Sequence, residues 1–378
     1  MAEIKPFALK WGIVSTGAIA QKFVRDLLVD PKTRAVNDVQ HKIVGVGSRS
    51  VDSARKFIET EIKDESVKAY GSYDELFADT NVDAVYIGTP HTHHYANSKS
   101  ALLAGKHVLC EKPVTSNAAE LRSLLSIAHE KNRFFMEAMW TRFQPLVQEL
   151  KKIVEEGTLG DPVVLHADLS GDFDVDNIPK THRMLNPKLG GGALLDLGPY
   201  PLVWAIIILY EHPKNNGARP SNISGSMLKT PLTGVDSSTS FTLTFSNPSA
   251  TSTSESLHAQ AILSCSMTLP PLSTAGVTIR YRNGTVVVAP PIYCPHEFLV
   301  QYFDNPGSGN VVREEKRDFK YAGTGWHFQA DEVARCVRDG KIESGIWTHE
   351  KSLFEMEVFD EVRRQGGYTF PPGVEQVV

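Results

Sequence analysis

The chain reads as an α/β protein in two parts. Residues 1–140 are expected to form a doubly wound parallel sheet. Residues 141–378 are expected to form an α+β domain on a large, mostly antiparallel, open-faced sheet. Three observations support this reading. In the first part, short wholly apolar runs alternate with helical patterns, as strands buried on both faces do. In the second, apolar and polar residues alternate along each strand, the mark of a sheet with one covered face. And 378 residues exceed one typical domain of ~100–200 residues but fit two.

The first run is 10–15 (KWGIVS), followed by Thr16-Gly17 and a helical stretch over 18–28. A second run, 41–47 (HKIVGVG), precedes a helix over 50–62, where Ala54, Phe57 and Ile58 recur at helical spacing. Residues 68–70 suit a short strand, and Ser72 caps a helix at Tyr73 to Ala78. The run 83–88 (DAVYIG) is a buried strand, and the helix after it, 94–104, closes at Gly105. Two further strands, 106–110 (KHVLC) and 133–138 (RFFMEA), flank a helix over 118–132.

A helix over 145–156 ends at Gly157, and strands follow at 162–169, 224–229, 238–245, 259–267, 277–281 and 285–288. Arg282-Asn283-Gly284-Thr285 predicts a hairpin, because Asn-Gly accepts positive φ cheaply. Polar segments at 212–222 and 247–257 read as loops. One helix over 192–210 interrupts the sheet, and two close the chain over 326–339 and 350–365.

Composition narrows the partners. Lys plus Arg total 39 against 44 Asp plus Glu, and no basic tract stands out, so no nucleic-acid partner is expected. The longest apolar runs, 202–210 and 286–293, fall short of the ~18 residues that span a bilayer, and the N-terminal residues carry no apolar signal core. The 4 cysteines show no CxxC or zinc-finger spacing and read as reduced thiols of a cytoplasmic protein without a metal.

Ser15-Thr16-Gly17-Ala18-Ile19-Ala20 lies between the first strand and the first helix. A dinucleotide pyrophosphate needs a side-chain-free approach to a helix N-terminus, where free N–H groups and the helix dipole favour anions. Gly17 supplies the approach, although Ser15 stands where the fingerprint has its first Gly and Ala20 where it has its third. After the second strand, Ser48-Arg49-Ser50 stands where an acidic residue usually meets a ribose without a 2′-phosphate. A guanidinium there suits a 2′-phosphate, which favours NADP over NAD.

Glu111-Lys112-Pro113 follows a strand, so Lys112 is expected in the crevice at the strands' C-terminal ends. Thr89, Pro90, His91 and His94 follow the preceding strand at the same edge. No acidic or Cys ligand lies at useful spacing there, so His94 is read as helix-capping or nicotinamide-lining rather than metal-binding. In the segment 190–200 (GGGALLDLGPY), Asp196 and Tyr200 share a helix face. A phenol of pKa ~10 serves as a base near neutrality only beside a cation. Lys112 is the candidate, if the two domains meet across the crevice. Taken alone, Tyr200 reads as an ordinary core tyrosine.

These stretches, with 136–143 (MEAMWTRF), resemble the Gfo/Idh/MocA oxidoreductases. Within them the similarity is greatest to the dimeric dihydrodiol dehydrogenases and the NADP-dependent D-xylose dehydrogenases. The resemblance implies a Rossmann domain that binds NADP through Ser15, Thr16, Gly17, Ala18, Ile19, Ser48, Arg49, Ser50, Thr89, Pro90, His91 and Glu111. It places Lys112 by the nicotinamide, and His94, Trp140 and Arg142 near the pocket or cofactor. It makes Tyr200 the acid/base and Asp196 the sugar ligand, and it implies a homodimer through the C-terminal sheet. A second Arg often found in the family's phosphate grip is Ser53 here. The reaction implied is oxidation of an aldose at C1, most simply D-xylose to its lactone. The alternatives are a trans-dihydrodiol or another sugar or inositol as substrate, and a non-catalytic NADP-sensing regulator.

Overall fold

The computed structural model describes residues 5–246 and 256–378. Most of the loop expected at 247–257 therefore lies outside the described residues. In chain order the elements are β1 (Phe7–Val14), α1 (Ala18–Leu27), β2 (Val39–Gly47), α2 (Val51–Phe57), β3 (Lys68–Tyr70), α3 (Tyr73–Ala78), β4 (Ala84–Ile87), α4 (His94–Leu103), β5 (His107–Cys110), α5 (Ala118–Glu130) and β6 (Phe135–Glu137). There follow α6 (Pro145–Glu156), β7 (Pro162–Ser170), α7 (Ala193–Leu197), α8 (Pro199–Ala205), β8 (Asn222–Lys229), β9 (Asp236–Phe245), β10 (Ala259–Ser266), β11 (Val277–Tyr281), β12 (Gly284–Val288), β13 (Glu297–Phe303), β14 (Val311–Asp318), α9 (Trp326–Arg338) and α10 (His349–Gln365).

The chain divides into two compact units. The first holds the described residues of Met1–Trp140, Tyr321–Leu353 and Glu375–Val378, and the second those of Thr141–Lys320 and Phe354–Val374. This corrects the expectation that everything after residue 140 forms one domain.

In the first unit six strands run parallel in the order β3-β2-β1-β4-β5-β6. The order reverses at β1, which pairs with both β2 and β4, the arrangement that opens a crevice beyond the strands' C-terminal ends. Its core includes Phe23 of α1 stacked on Tyr86 of β4 at 3.8 Å. The return of the chain to this unit is fixed by polar contacts. The carboxylate of Asp26 accepts from the backbone N–H groups of Thr324, Gly325 and Trp326 at 2.6–3.1 Å, which satisfies donors at the start of α9. One turn on, Asp331 is buried between Arg34 (2.6 Å) and His41 (2.9 Å).

The second unit holds an eight-stranded sheet in the order β14-β13-β12-β11-β7-β10-β9-β8. Only the β7–β10 pair is parallel. The sequence reading missed β13 and β14. Nearly every β14 side chain is exposed, so that strand carries no apolar periodicity to find. The single helix expected over 192–210 is broken: α7 and α8 meet at Gly198, and a π-helical turn, Ile206–Tyr210, completes it. Among the described residues the stretch Pro187–Tyr210 is long and apolar enough to cross a membrane, but it is buried within this unit.

Candidate active site

In the first unit the sequence-predicted residues gather at one edge of the sheet, where β1, β2, β4 and β5 end. Ser15 follows β1, Ser48 and Arg49 follow β2, Thr89 and Pro90 follow β4, and Glu111 and Lys112 follow β5. Ser15 takes φ 92°, the left-handed region that its glycine counterpart would enter freely, and its Oγ accepts from Gly17 N–H at 3.2 Å. Gly17 is exposed at the N-terminus of α1, and a Cβ there would meet only Ser15 Oγ, at 3.5 Å. That helix start has no acidic residue in its first turn, so nothing of like charge opposes an anion. Thr16 Oγ1 lies 3.5 Å from Ser48 Oγ. Arg49 is exposed, whereas Ser50 is engaged: its Oγ accepts from Ser53 N–H and caps α2. A backbone approach at Gly17, hydroxyls beside it and an exposed arginine just past the end of the neighbouring strand are the parts a phosphorylated dinucleotide needs.

His94 is corrected. Its ring has no exposed surface, so it does not line a nicotinamide site. Nδ1 lies 2.8 Å from the Pro113 carbonyl oxygen and Nε2 2.8 Å from that of Thr89. The ring lies between the β5 loop and the β4 loop; burial pushes its pKa down to about 3, so it is neutral and its single N–H donates to one of the two carbonyls. Glu111 also faces inward, its Oε1 accepting from Tyr86 Oη at 2.7 Å, and burial pushes its carboxyl up to about 7. Trp140 is buried against Trp326, the rings stacked at 3.8 Å. Lys112 is part-exposed, and its bond to Pro113 is cis.

The second unit carries Asp196 on α7 and Tyr200 on α8, both nearly buried. The glycines before α7 are required by what surrounds them. A Cβ on Gly191 would lie 2.7 Å from the Arg183 carbonyl oxygen. Gly192 sits at φ 123°, and a Cβ there would lie 2.0 Å from Asp236 Oδ1. Asp236, at the start of β9 and wholly buried, accepts from Leu194 N–H and Thr239 Oγ1, each at 2.7 Å. So the glycines make room for a chain reversal and for the carboxylate that caps α7. Asp236 is about 40 residues away in sequence from that cap, and no local pattern announces it.

Arg183 was also missed. Its guanidinium forks the Asp196 carboxylate at 2.7 and 3.3 Å. Tyr293 stands beside Tyr200 with ring centroids 5.5 Å apart. Its loop is held by Trp204 Nε1 donating to Ile292 O and by Thr141 Oγ1 donating to Tyr293 O. Arg142 is interior, paired with Glu211 at 3.0 Å beside Lys151, so little of its surface is left for a ligand. Among the described residues no group of three or more His, Cys, Asp or Glu side chains is placed to hold a metal ion.

Residues 9–139 match the family model described as an oxidoreductase family with an NAD-binding Rossmann fold, and residues 147–287 match the GFO/IDH/MocA C-terminal domain. The chain belongs to the GFO/IDH/MocA oxidoreductase family. It is 38% identical to the D-xylose 1-dehydrogenase (NADP(+)) of Hypocrea jecorina, covering 98% of this chain and 95% of that one. It is 34% identical to the trans-1,2-dihydrobenzene-1,2-diol dehydrogenase of Sus scrofa, covering 96% and 98%. Among solved structures, the aldose-aldose oxidoreductase from Caulobacter crescentus superposes with TM-score 0.76 at 21% identity, covering 95% and 98%, which shows the shared fold.

Proposed function

We propose that the protein is an NADP-dependent dehydrogenase that oxidises D-xylose at C1 to the 1,5-lactone. The observation that carries this reading is the 38% identity, over 98% of the chain, to a D-xylose 1-dehydrogenase (NADP(+)). The bound cofactor supplies the nicotinamide carbon that takes the substrate hydride. In this reading the N-terminus of α1 at Gly17 receives the pyrophosphate, and Arg49 receives the 2′-phosphate. Tyr200 takes the proton of the C1 hydroxyl, Lys112 stabilises the developing alkoxide and favours the ionised phenol, and Asp196 orients the sugar.

A trans-dihydrodiol is the second reading, supported by the 34% identity to the Sus scrofa enzyme; the same residues serve either oxidation. We further propose a homodimer through the open face of the eight-stranded sheet, where Val163, Leu228 and Ile262 stand exposed. We place the protein in the cytoplasm, where its four cysteines stay reduced.

The test is a panel of aldoses, inositols and dihydrodiols with NADP and with NAD, read by absorbance of the reduced cofactor. D-xylose with NADP should give the highest kcat/KM. A tenfold preference for a dihydrodiol would replace the substrate. NADP binding without turnover on any substrate would make the protein a regulator.

A further inference from the structure

The sequence offered Tyr200 one cation, Lys112. The structure supplies another within Tyr200's own unit. Arg183 lies between β7 and α7, and its planar fork meets Asp196 with Nη1–Oδ1 at 2.7 Å and Nη2–Oδ2 at 3.3 Å. The guanidinium is reachable from solvent, with 51% of its side chain exposed, while the carboxylate beneath it is 9% exposed. Asp196 stands four residues before Tyr200, and Gly198 between them keeps helical φ and ψ, so the two residues share a face across the α7–α8 junction.

We infer that Arg183 is the positioning residue of the acid/base: its fork holds Asp196 in place and offsets that carboxylate's charge four residues before Tyr200. The inference rests on the reading of Tyr200 as acid/base. Three facts support it. The paired carboxylate is neutralised, so Asp196 does not oppose ionisation of the phenol. An arginine keeps its charge at every working pH, and its fork fixes direction as a lysine cannot. Burial would lower the Arg183 pKa, but the Asp196 carboxylate and the ionised Tyr200 raise it above its ordinary value.

The other titratable neighbours are weaker candidates for this role. Tyr293, beside the Tyr200 ring, is itself pushed up by burial. From the strands packed under α7 and α8, β10 turns Cys265 inward, and burial raises that thiol well above its ordinary value. β9 contributes Asp236, which burial raises and which is taken up by the α7 cap. On β7, Leu165, Ala167 and Leu169 are buried, while His166 and Asp168 lie on the more exposed face. None of these offsets the charge of the Asp196 carboxylate.

The experiment compares pH profiles of kcat for the parent, Arg183→Gln, Arg183→Lys and Tyr200→Phe, using purified protein with NADP and the best substrate of the panel. Oxidation needs the phenolate, so kcat rises with pH through the Tyr200 ionisation. Loss of Arg183 leaves the Asp196 carboxylate uncompensated, and that change raises the phenol pKa. A nearby charge shifts a pKa by ~1–3 units, and the half-exposed Arg183 reaches the phenol only through Asp196, which puts the effect at the low end. Arg183→Gln should therefore move the rising limb up by about one unit, and Arg183→Lys by less than half as much. Ionisation of Tyr200, read in the near ultraviolet as the difference between the parent and Tyr200→Phe, should move in step without any turnover.

If Arg183→Gln lowers kcat while its limb and its phenol titration stay put, the inference is overturned and Arg183 only supports the fold. If Tyr200→Phe keeps activity near the parent, the acid/base reading itself fails. An inactive Tyr200→Phe with an unmoved Arg183→Gln limb removes the role of Arg183 alone.

Discussion

Gly192→Ala should destabilise the second unit by about 3–5 kcal/mol, and the figure comes from two separable effects. Gly192 has φ 123°, where an L side chain is strained by ~1–2 kcal/mol. Its new Cβ would also lie 2.0 Å from Asp236 Oδ1, so the carboxylate must leave its place. Asp236 then gives up the charge-assisted bond from Leu194 N–H, now 2.7 Å, worth ~1.5–3 kcal/mol. For a unit of this size each kcal/mol lowers Tm by ~2–4 °C, so the melting transition should fall by roughly 6–20 °C. A double-mutant cycle with Asp236→Ala isolates the second effect. In the Asp236→Ala background, Gly192→Ala should cost only the strain of ~1–2 kcal/mol. If it costs the same in both backgrounds, the clash with Asp236 is not why glycine stands at 192.

Other outcomes follow from the first unit and the cofactor reading. Arg49→Ala should raise KM for NADP by roughly 10- to 150-fold, the equivalent of losing a charge-assisted pair of ~1.5–3 kcal/mol, and leave KM for NAD nearly unchanged; equal effects on both cofactors would refute the assignment. Asp26→Asn should cost about 2–4 kcal/mol at neutral pH, since three backbone donors at α9 lose a charged acceptor. Burial tends to raise the Asp26 pKa, but the nearby His327 and the Thr324 and Trp326 hydrogen bonds hold it below the ordinary carboxylate value. Its contribution is therefore complete above the unfolded pKa of ~3.9 and is lost as pH falls through the lower folded value. The parent should lose stability in acid melts below about pH 4, and Asp26→Asn should show a shallower loss. Light scattering during size exclusion checks the sheet-face dimer, and a single peak at the 41.7 kDa monomer mass at micromolar concentration would refute it.

The parallel sheet was legible because its strands are short, continuous apolar runs between capped helices. Ser72, for example, accepts from Glu75 N–H at the start of α3, as its type and position predict. The hairpin at 282–285 was found for the wrong reason. Neither Asn283 nor Gly284 takes a positive φ. Glycine is needed at 284 because a Cβ there would lie 2.1 Å from Gln301 O on β13. That partner belongs to a strand the sequence reading had not found, so the true cause was out of reach. The placement of His94 failed similarly. A histidine at a helix start reads as a cap or a ligand, and only the fold shows two carbonyls from separate loops on either side of its ring.

In each unit a candidate segment begins where the chain enters a helix through a residue at positive φ: Ser15 two residues before the Gly17 cap of α1, and Gly192 directly before α7. Such residues cost stability unless the surroundings hold them, and here the surroundings are polar. Ser15 Oγ accepts the Gly17 N–H, and Asp236, from a strand more than forty residues later, accepts the Leu194 N–H. A motif scan sees a serine where a glycine is expected and counts a defect. The geometry shows a side chain that supplies a hydrogen bond glycine cannot make. Relief of strain and loss of that bond nearly cancel in Ser15→Gly, whereas Ser15→Ala keeps the strain and loses the bond, ~0.5–1.5 kcal/mol. Thermal melts should therefore rank Ala below both Ser and Gly at position 15. An alanine variant as stable as the parent would mean that the Oγ contact contributes nothing, and that the serine is tolerated there rather than used.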